Sequence, residues 1–597
     1  MAKKRSQSKP AAAPAVGKGA APTVMERKAD PPGAHRFFNS PALRETVESV
    51  VVAFVLAFLF RTFEAEAFVI PTGSMAPTLM GAHKDVLCPT CGYRYAAGAS
   101  SEADDVARQR GSRGPGEQVV AVTCPMCRTT TNVDPRSPTG RDYPTYGGDR
   151  ILVTKFNFEF SEPRRWDVTV FKFPGGAETN YIKRLVGLPN ETVRLWHGDL
   201  YVQPPQGDAF HLERRPPDKL RAMAQIVYDN DFVVDEMTKK GWPVRWGPWP
   251  DVSAEDKSGW KTNDGSRTYQ IDGSASDVRW LGYRHYAPSL ADWELLDRGS
   301  LPAGYAPRPR LITDFYAYNT SVTRGAPLEQ PQMLGLHWVG DLLLQCQVDV
   351  TKSDGKVHLE LIEGGRHFRC AIETQSGEAQ LSVDGLADFE PKAQTPIIGP
   401  GSHEVIFANI DDQLRLWVDG TPLTFDGPTE YPPLDNDRPR SDNAEPGDLL
   451  PARIGAEGVG LSVSGLRLWR DLYYIATDGR GPVVSDYRFP YAALLQMRYE
   501  ELLQFWSTPA MWSGGNNPFD QRQEAIYPLD EDQFFMLGDN SPLSLDARLW
   551  DNERYVRRDL LIGKALYVFW PHSFHRIPGT RIPFPFFPNF ARMGFIR

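Results

Sequence analysis

Cysteine is scarce in this chain: six in 597 residues, too few to staple a fold of this length with disulfides. A basic surplus is missing too. The formal net charge is −9, which argues against nucleic acid as a partner. Nor is there a long apolar run. The one strongly apolar stretch, Ser49–Phe60, covers 12 residues between Glu48 and Arg61, where a spanning helix wants roughly 20.

What is present points to several folded units. A chain of 597 residues is too long for one compact core, so three or more units are expected. Hydrophobic residues at 41% and charged residues at 24% are ordinary globular values, and 51 Pro with 51 Gly indicate many turns and β-structure. Residues 1–40 are rich in Ala, Pro, Gly and Lys with almost nothing apolar to bury, which predicts a disordered basic tail. Lys3, Lys4, Arg5, Lys9, Lys18, Arg27, Lys28, Arg36 and Arg44 all precede the apolar run, which by the positive-inside rule keeps this end cytoplasmic and the rest outside. Leu43 and Val47 extend the run upstream and Phe63 extends it downstream, while Arg61 and Glu64 can reach toward headgroups. Residues 41–64 therefore read as an uncleaved membrane anchor. The alternative is a cleaved signal peptide, whose cut would fall beside Ser74.

Directly after that run, Phe68–Gly81 reads Phe-Val-Ile-Pro-Thr-Gly-Ser-Met-Ala-Pro-Thr-Leu-Met-Gly. An apolar entry, a Pro that fixes its own φ and a Gly that lets the chain turn would hold the Ser74 hydroxyl in the open, as a nucleophile requires. Three further stretches stand in order behind it: Gly148-Asp149-Arg150-Ile151-Leu152-Val153, then Tyr181-Ile182-Lys183-Arg184, then Gly538-Asp539-Asn540 running on through Ser544, Asp546 and Arg548. Tyr567-Val568-Phe569-Trp570-Pro571 follows as a closing strand. Together these resemble the boxes of bacterial type I signal peptidases, the membrane-anchored Ser–Lys leader peptidases. The boxes cover under half of the chain.

A serine attacks a peptide carbonyl only when a base takes its proton, and no His–Asp partnership stands near either box. Lys183 is the candidate base. A free lysine titrates near 10.4, and burial can lower that by roughly 3–5 units; the neighbours Ile182, Leu185 and Val186 suit such burial. Strand alternation would send Lys183 and Arg184 to opposite faces. The resemblance further implies that Arg184 pairs with Asp539, that the Ser544 hydroxyl orients the lysine amine, and that Asp546 and Arg548 form a supporting ion pair. It also implies that the Ser74 N–H and the Thr72 hydroxyl receive the oxyanion, and that Phe68, Ile70, Pro71 and Ile182 line shallow pockets for small residues. Two departures from the family pattern stand out. Asp546-Ala547-Arg548 replaces the usual Asp-Ser-Arg, and Ser541-Pro542-Leu543 replaces Arg-Asp-Asn, which leaves that loop's hydrogen bonds open.

Two insertions separate the boxes. In the first, Cys88-Pro-Thr-Cys91 and Cys124-Pro-Met-Cys127 are 32 residues apart, a paired-knuckle spacing that aims four thiolates at one tetrahedral zinc. Disulfides are the alternative in an oxidising exterior. In the second, alternating runs such as Val357-His-Leu-Glu-Leu-Ile and Gln413-Leu-Arg-Leu-Trp, with Val-Asp-Gly turns at Val383 and Val418, read as a β-sandwich. Its rhythm is similar to the laminin-G or concanavalin-like jelly rolls. Trp242, Trp246, Trp249, Trp260 and Trp280 serve either packing or glycan binding. Cys346 and Cys370 either pair or stay as buried thiols.

The expected architecture is mainly β: an antiparallel catalytic core (65–87, 145–202 and 531–597), one N-terminal transmembrane helix, a zinc-ribbon-like insert (88–144) and a β-sandwich insert (203–530). The sandwich is expected to fold separately, hung from one connection, and to recruit substrates without entering the chemistry. The implied activity is signal-peptide removal from exported preproteins at a cell membrane, needing no cofactor for catalysis, with preproteins and the lipid bilayer as partners and an unidentified ligand left open for the sandwich. The rival is a membrane-tethered binding protein on an inactive peptidase core.

Overall fold

The computed structural model describes residues 41–59 and 65–597, apart from 103–116, 156, 177, 251–258, 263, 329–334, 436, 443, 478, 480–483, 488–496, 498, 513–521, 552, 578–579 and 581. The expected disordered tail and residues 60–64 of the expected anchor lie outside that set. Two units are distinguished, Met1–Thr62 and Phe63–Arg597. In the first, helix α1 runs Pro41–Leu59, 19 residues, with Val50, Val51, Val52 and Phe54 exposed. Among the described residues no helix is long and apolar enough to cross a membrane.

The second unit is antiparallel β almost throughout. Its catalytic-box residues sit on or beside an eight-stranded sheet made of β1 (Ala65–Val69), β2 (Arg150–Thr154), β3 (Val168–Lys172), β4 (Asn180–Gly187), β5 (Gln533–Leu537), β6 (Val556–Arg557), β7 (Leu561–Trp570) and β8 (Gly594–Phe595). The spatial order is β1-β2-β7-β3-β4-β5-β6, with β8 on the side of β7. β-Branched and aromatic side chains dominate the inner strands, as suits a surface packed on both faces. On one face Ile151, Val153, Val168, Val170, Ile182, Ala565 and Val568 pack against Ile70, Met75 and Leu79 of the serine segment. Each such side chain, fully buried, contributes roughly 1.5–3 kcal/mol, so that segment is held to the sheet by its own apolar residues.

The sandwich is narrower than 203–530. Strands Asp199–Gln203, His211–Leu212 and Ala525–Pro528 join Thr192–Trp196 in a separate four-stranded sheet, and the sandwich strands run from Gln225 to Arg470 in two seven-stranded sheets. Leu344, Cys346, Phe407 and Leu416 of one sheet share a core with Leu359, Phe368, Cys370 and Leu381 of the other. Cys346 and Cys370 are both buried free thiols; they stand in opposing sheets rather than pairing. Trp242, Trp246 and Trp260 are buried, which is the packing role. The Val418-Asp419-Gly420 turn closes a hairpin with positive φ at both Asp419 and Gly420 (49° and 77°), the type I′ geometry that matches strand twist.

The sandwich does not hang apart from the rest of its unit. Its core is continuous with that of the first insert, through Val86, Tyr95, Val119, Val122 and Met126, and its strand Val322–Thr323 extends the sheet of Val119–Thr123 and Thr130–Asn132. The expectation of a separately hung insert fails for a physical reason: a small four-cysteine insert has too little core of its own and completes it against the sandwich.

Candidate active site and four-cysteine cluster

Ser74 lies on a short 3-10 turn, Gly73–Met75, just after β1, with Thr72 extended before it (φ −121°, ψ 158°). The Gly148-Asp149 box braces this turn from behind. The Ile70 N–H donates to Asp149 O at 2.9 Å, and the Met80 N–H donates to the Asp149 carboxylate at 2.8 Å. Lys183 arrives from β4, which pairs with β3 so that Thr169 faces Lys183 and Val168 faces Arg184. Alternation then does what the sequence implies.

On one face Lys183 Nζ donates to Ser74 Oγ at 2.6 Å and to Ile182 O at 3.1 Å. On the other, Arg184 makes a two-pronged contact with Asp539, 2.7 Å from Nε and 2.6 Å from Nη2. Ser74 is 9% exposed and Lys183 is 4% exposed. Burial pushes the Lys183 pKa down to about 8, against the opposing pull of the Asp546 and Asp539 carboxylates. A substantial fraction of the amine is therefore neutral near pH 8, and a neutral amine within hydrogen-bond reach can take the serine's proton.

The Arg184–Asp539 pair is fully buried on both sides. Removing one partner strands the other's charge, so Asp539→Asn is expected to destabilise the fold by about 3–5 kcal/mol, read as a lowered urea midpoint. An unchanged midpoint would show that the pair is not structural.

Asp546 and Arg548 are paired as the resemblance implies, at 2.8 Å from both Nε and Nη2, and Asp546 also accepts the Gly538 N–H at 3.0 Å. The departing loop is fully served: Ser541 Oγ accepts from the Ile475 N–H at 3.0 Å and from Arg548 Nη1 at 2.8 Å. Ser544 differs from expectation. Its Oγ is buried with no hydrogen-bond partner among the described residues, so it does not orient the Lys183 amine. It packs instead beside Gly538, where a Cβ would fall 2.1 Å from Ser544 Oγ and 2.5 Å from Ser74 O; only glycine lets the two loops close so tightly.

Thr72 makes no capping hydrogen bond with its side chain. Of the pocket residues, Phe68, Ile70 and Ile182 fall in one apolar cluster, while Pro71 is exposed.

Two groups of potential metal ligands occur among the described residues. One is the expected set, Cys88, Cys91, Cys124 and Cys127, with all four Sγ atoms within 4.8 Å of one another and no disulfide among them. The two knuckles fold alike. The Gly92 and Arg128 N–H groups return to Cys88 O and Cys124 O at 3.0 Å, and the Cys88 and Cys124 N–H groups donate to Tyr93 O and Thr129 O at 2.9 and 3.0 Å. Four thiols aimed at one point from paired turns suit a tetrahedral metal. The other group, Asp199, Asp341, Asp411 and Asp471, was not foreseen; Arg215 bridges its Asp411 and Asp471.

Sequence reasoning also missed Asn319, whose side chain reaches Asn540 of the last box. No motif marks it, and the two residues are 221 positions apart.

The site thus sets a serine hydroxyl against a buried amine in an antiparallel β frame, with a charge-paired loop behind it. The model of the family described as signal peptidase, peptidase S26, matches residues 119–240, which include Lys183. Signal peptidase I of Pseudomonas fluorescens is 43% identical over 70 residues, which are 10% of this chain and 25% of that protein. Signal peptidase I of Leptolyngbya laminosa is 24% identical over 252 residues, 37% of this chain and 91% of that protein. The chain thus spans about a quarter of the Pseudomonas relative. Among solved structures, a carbohydrate-binding module from Bacillus subtilis is similar at 7% identity and a TM-score of 0.20, over 38% of this chain and 95% of that one.

Proposed function

We propose that this protein is a membrane-bound serine endopeptidase that removes N-terminal signal peptides from exported preproteins. The observation that carries the reading is the 2.6 Å contact between Lys183 Nζ and Ser74 Oγ, at a lysine whose burial brings its pKa to about 8. Ser74 Oγ attacks the scissile carbonyl as Lys183 takes the hydroxyl proton. The same ammonium then gives that proton to the leaving amine, and water releases the acyl group from Ser74 by the reverse sequence. The Ser74 N–H and the Thr72 hydroxyl are the oxyanion donors in this reading. Phe68, Ile70, Pro71 and Ile182 form the shallow pockets, whose size admits small residues before the cut. Arg184 with Asp539, and Asp546 with Arg548, hold the frame.

The exposed valines and phenylalanine of α1 support membrane attachment, because an apolar surface of that kind seeks lipid. In this reading residues 41–64 anchor the chain with its N-terminus cytoplasmic and its catalytic unit outside. The four-cysteine cluster holds one structural zinc that takes no part in the chemistry.

The pH dependence tests the base. Below about 8 Lys183 carries its proton and cannot accept another; above it the amine is free. The kcat/KM for a small signal-peptide substrate is therefore expected to rise with pH to a plateau, with a midpoint near 8. A flat profile, or a midpoint in the ordinary histidine range near 6.5, would point to another base.

A further inference from the structure

We propose that Asn319, supplied by the large insertion, is a positioning residue that sets the direction of the Ser74 backbone N–H. The inference rests on the peptidase reading of the Ser74 site. It starts from the bonds of Asn540. The Asn540 side-chain amide donates to Gly73 O at 3.0 Å and to Asn319 Oδ1 at 2.8 Å. Asn319 Nδ2 donates back to Asn540 Oδ1 at 2.7 Å, and the Asn540 backbone N–H donates to Ser74 O at 3.0 Å.

Gly73 C=O and Ser74 N–H belong to the same peptide group. That group is planar and trans, so its carbonyl and its N–H point in opposite directions. The carbonyl is held by Asn540 together with the Ala76 N–H, which donates to it at 3.1 Å, and fixing the carbonyl fixes where the N–H points. An asparagine amide can face either way, because its oxygen and nitrogen ends are nearly the same shape. Turned over, Asn540 would set its own oxygen against Gly73 O. In the orientation that donates to Gly73, Asn540 also gives and receives a hydrogen bond with Asn319, and this reciprocal pair adds two bonds that hold the amide there.

Asn319 is itself held in place. It ends a 3-10 turn, Ala317–Asn319, whose neighbour Tyr318 covers Gly73 so closely that a Cβ there would fall 2.1 Å from the ring. Beyond it, Thr320 Oγ1 accepts the Thr123 N–H at 3.0 Å, the Ser321 hydroxyl donates to Gly98 O at 2.5 Å, and Val322 pairs with Ala121. One short strap of the insertion thus ties the four-cysteine region to the nucleophile's turn. Its contact with the chemistry is indirect and acts on the transition state: it aims an oxyanion donor without touching the proton transfer between Ser74 and Lys183.

The test uses the full-length chain in detergent and a signal-peptide substrate, with kcat and KM measured separately for wild type, Asn319→Ala, Asn540→Ala and the double variant. Losing an oxyanion donor outright costs roughly 10²–10³ in kcat, so a misaimed one should cost roughly 10- to 100-fold, with KM and the pH midpoint unchanged. Asn319→Ala in the Asn540→Ala background should cost nothing further, because the effect passes through Asn540. Asn319→Asp, equal in size but with no N–H to return, keeps the test decisive should Asn319→Ala fold poorly, and is expected to lose kcat similarly. An active wild type with unaltered kcat in a folded Asn319→Ala or Asn319→Asp overturns this inference alone, as does a rise in KM in place of the fall in kcat. A folded but inactive wild type overturns the peptidase reading and this inference with it.

Discussion

Lys183→Arg is expected to abolish turnover, lowering kcat/KM by roughly 10⁴-fold, although it keeps a positive charge on a side chain of similar length. The position already tolerates charge, since the Asp546 and Asp539 carboxylates pull the lysine toward its protonated form. What it needs is the option of neutrality. Lysine reaches that state near pH 8 because burial lowers its pKa; a guanidinium titrates above 12 and stays charged wherever it is placed. Arginine would thus deliver five donors and no acceptor to Ser74 Oγ. Ser74→Ala is expected to be equally inactive, and the double variant no worse than either single, because nucleophile and base act as one unit. Circular dichroism and the melting temperature should stay close to wild type in Ser74→Ala, whose lost hydroxyl bonds only to Lys183 among the described residues. Appreciable turnover in a folded Lys183→Arg would remove lysine as the base.

The second large effect concerns the four cysteines. Purified protein is expected to carry one zinc per chain, and Cys88→Ser or Cys124→Ser to release it. Structural zinc contributes an apparent 10–16 kcal/mol in isolated knuckle peptides, so chelation should lower the melting temperature by about 10 °C or more. The damage should not stay within Val86–Asn132. Arg245 Nη2 donates to Met126 O at 2.6 Å and Trp293 Nε1 donates to Cys127 O at 3.0 Å, so the second knuckle is bonded to the sandwich side as well as packed against it. Metal analysis with native mass spectrometry decides the matter: no zinc and four oxidised cysteines would establish disulfides instead.

The parts of the site legible in the sequence are those governed by local rules. Pro71 and Gly73 announce a turn at Ser74, the apolar flanks of Lys183 announce its burial, and period-two alternation separates Lys183 from Arg184. The knuckles are legible because their spacing is short and their turns repeat. Long-range closure is not. Asn319 meets Asn540 only after the sandwich has folded back onto the core, and nothing in the run Ala317-Tyr318-Asn319 marks that contact. The role expected of Ser544 failed for a related reason. Its position in the box follows the family pattern, but its hydroxyl is packed close beside Gly538 and has no hydrogen-bond partner among the described residues, which position in a motif does not reveal. The shared core of the sandwich and the four-cysteine insert is not legible either, because strand rhythm reveals the sheets but not what packs between them.

The most direct test of the central claim is cleavage of a preprotein by the purified full-length chain in detergent, run beside Ser74→Ala. The account predicts that wild type releases the N-terminal signal segment by a single cut after a small residue, that the product rate rises through about pH 8, and that Ser74→Ala releases none. Equal cleavage by a folded Ser74→Ala, or no cleavage by a folded wild type, would contradict it.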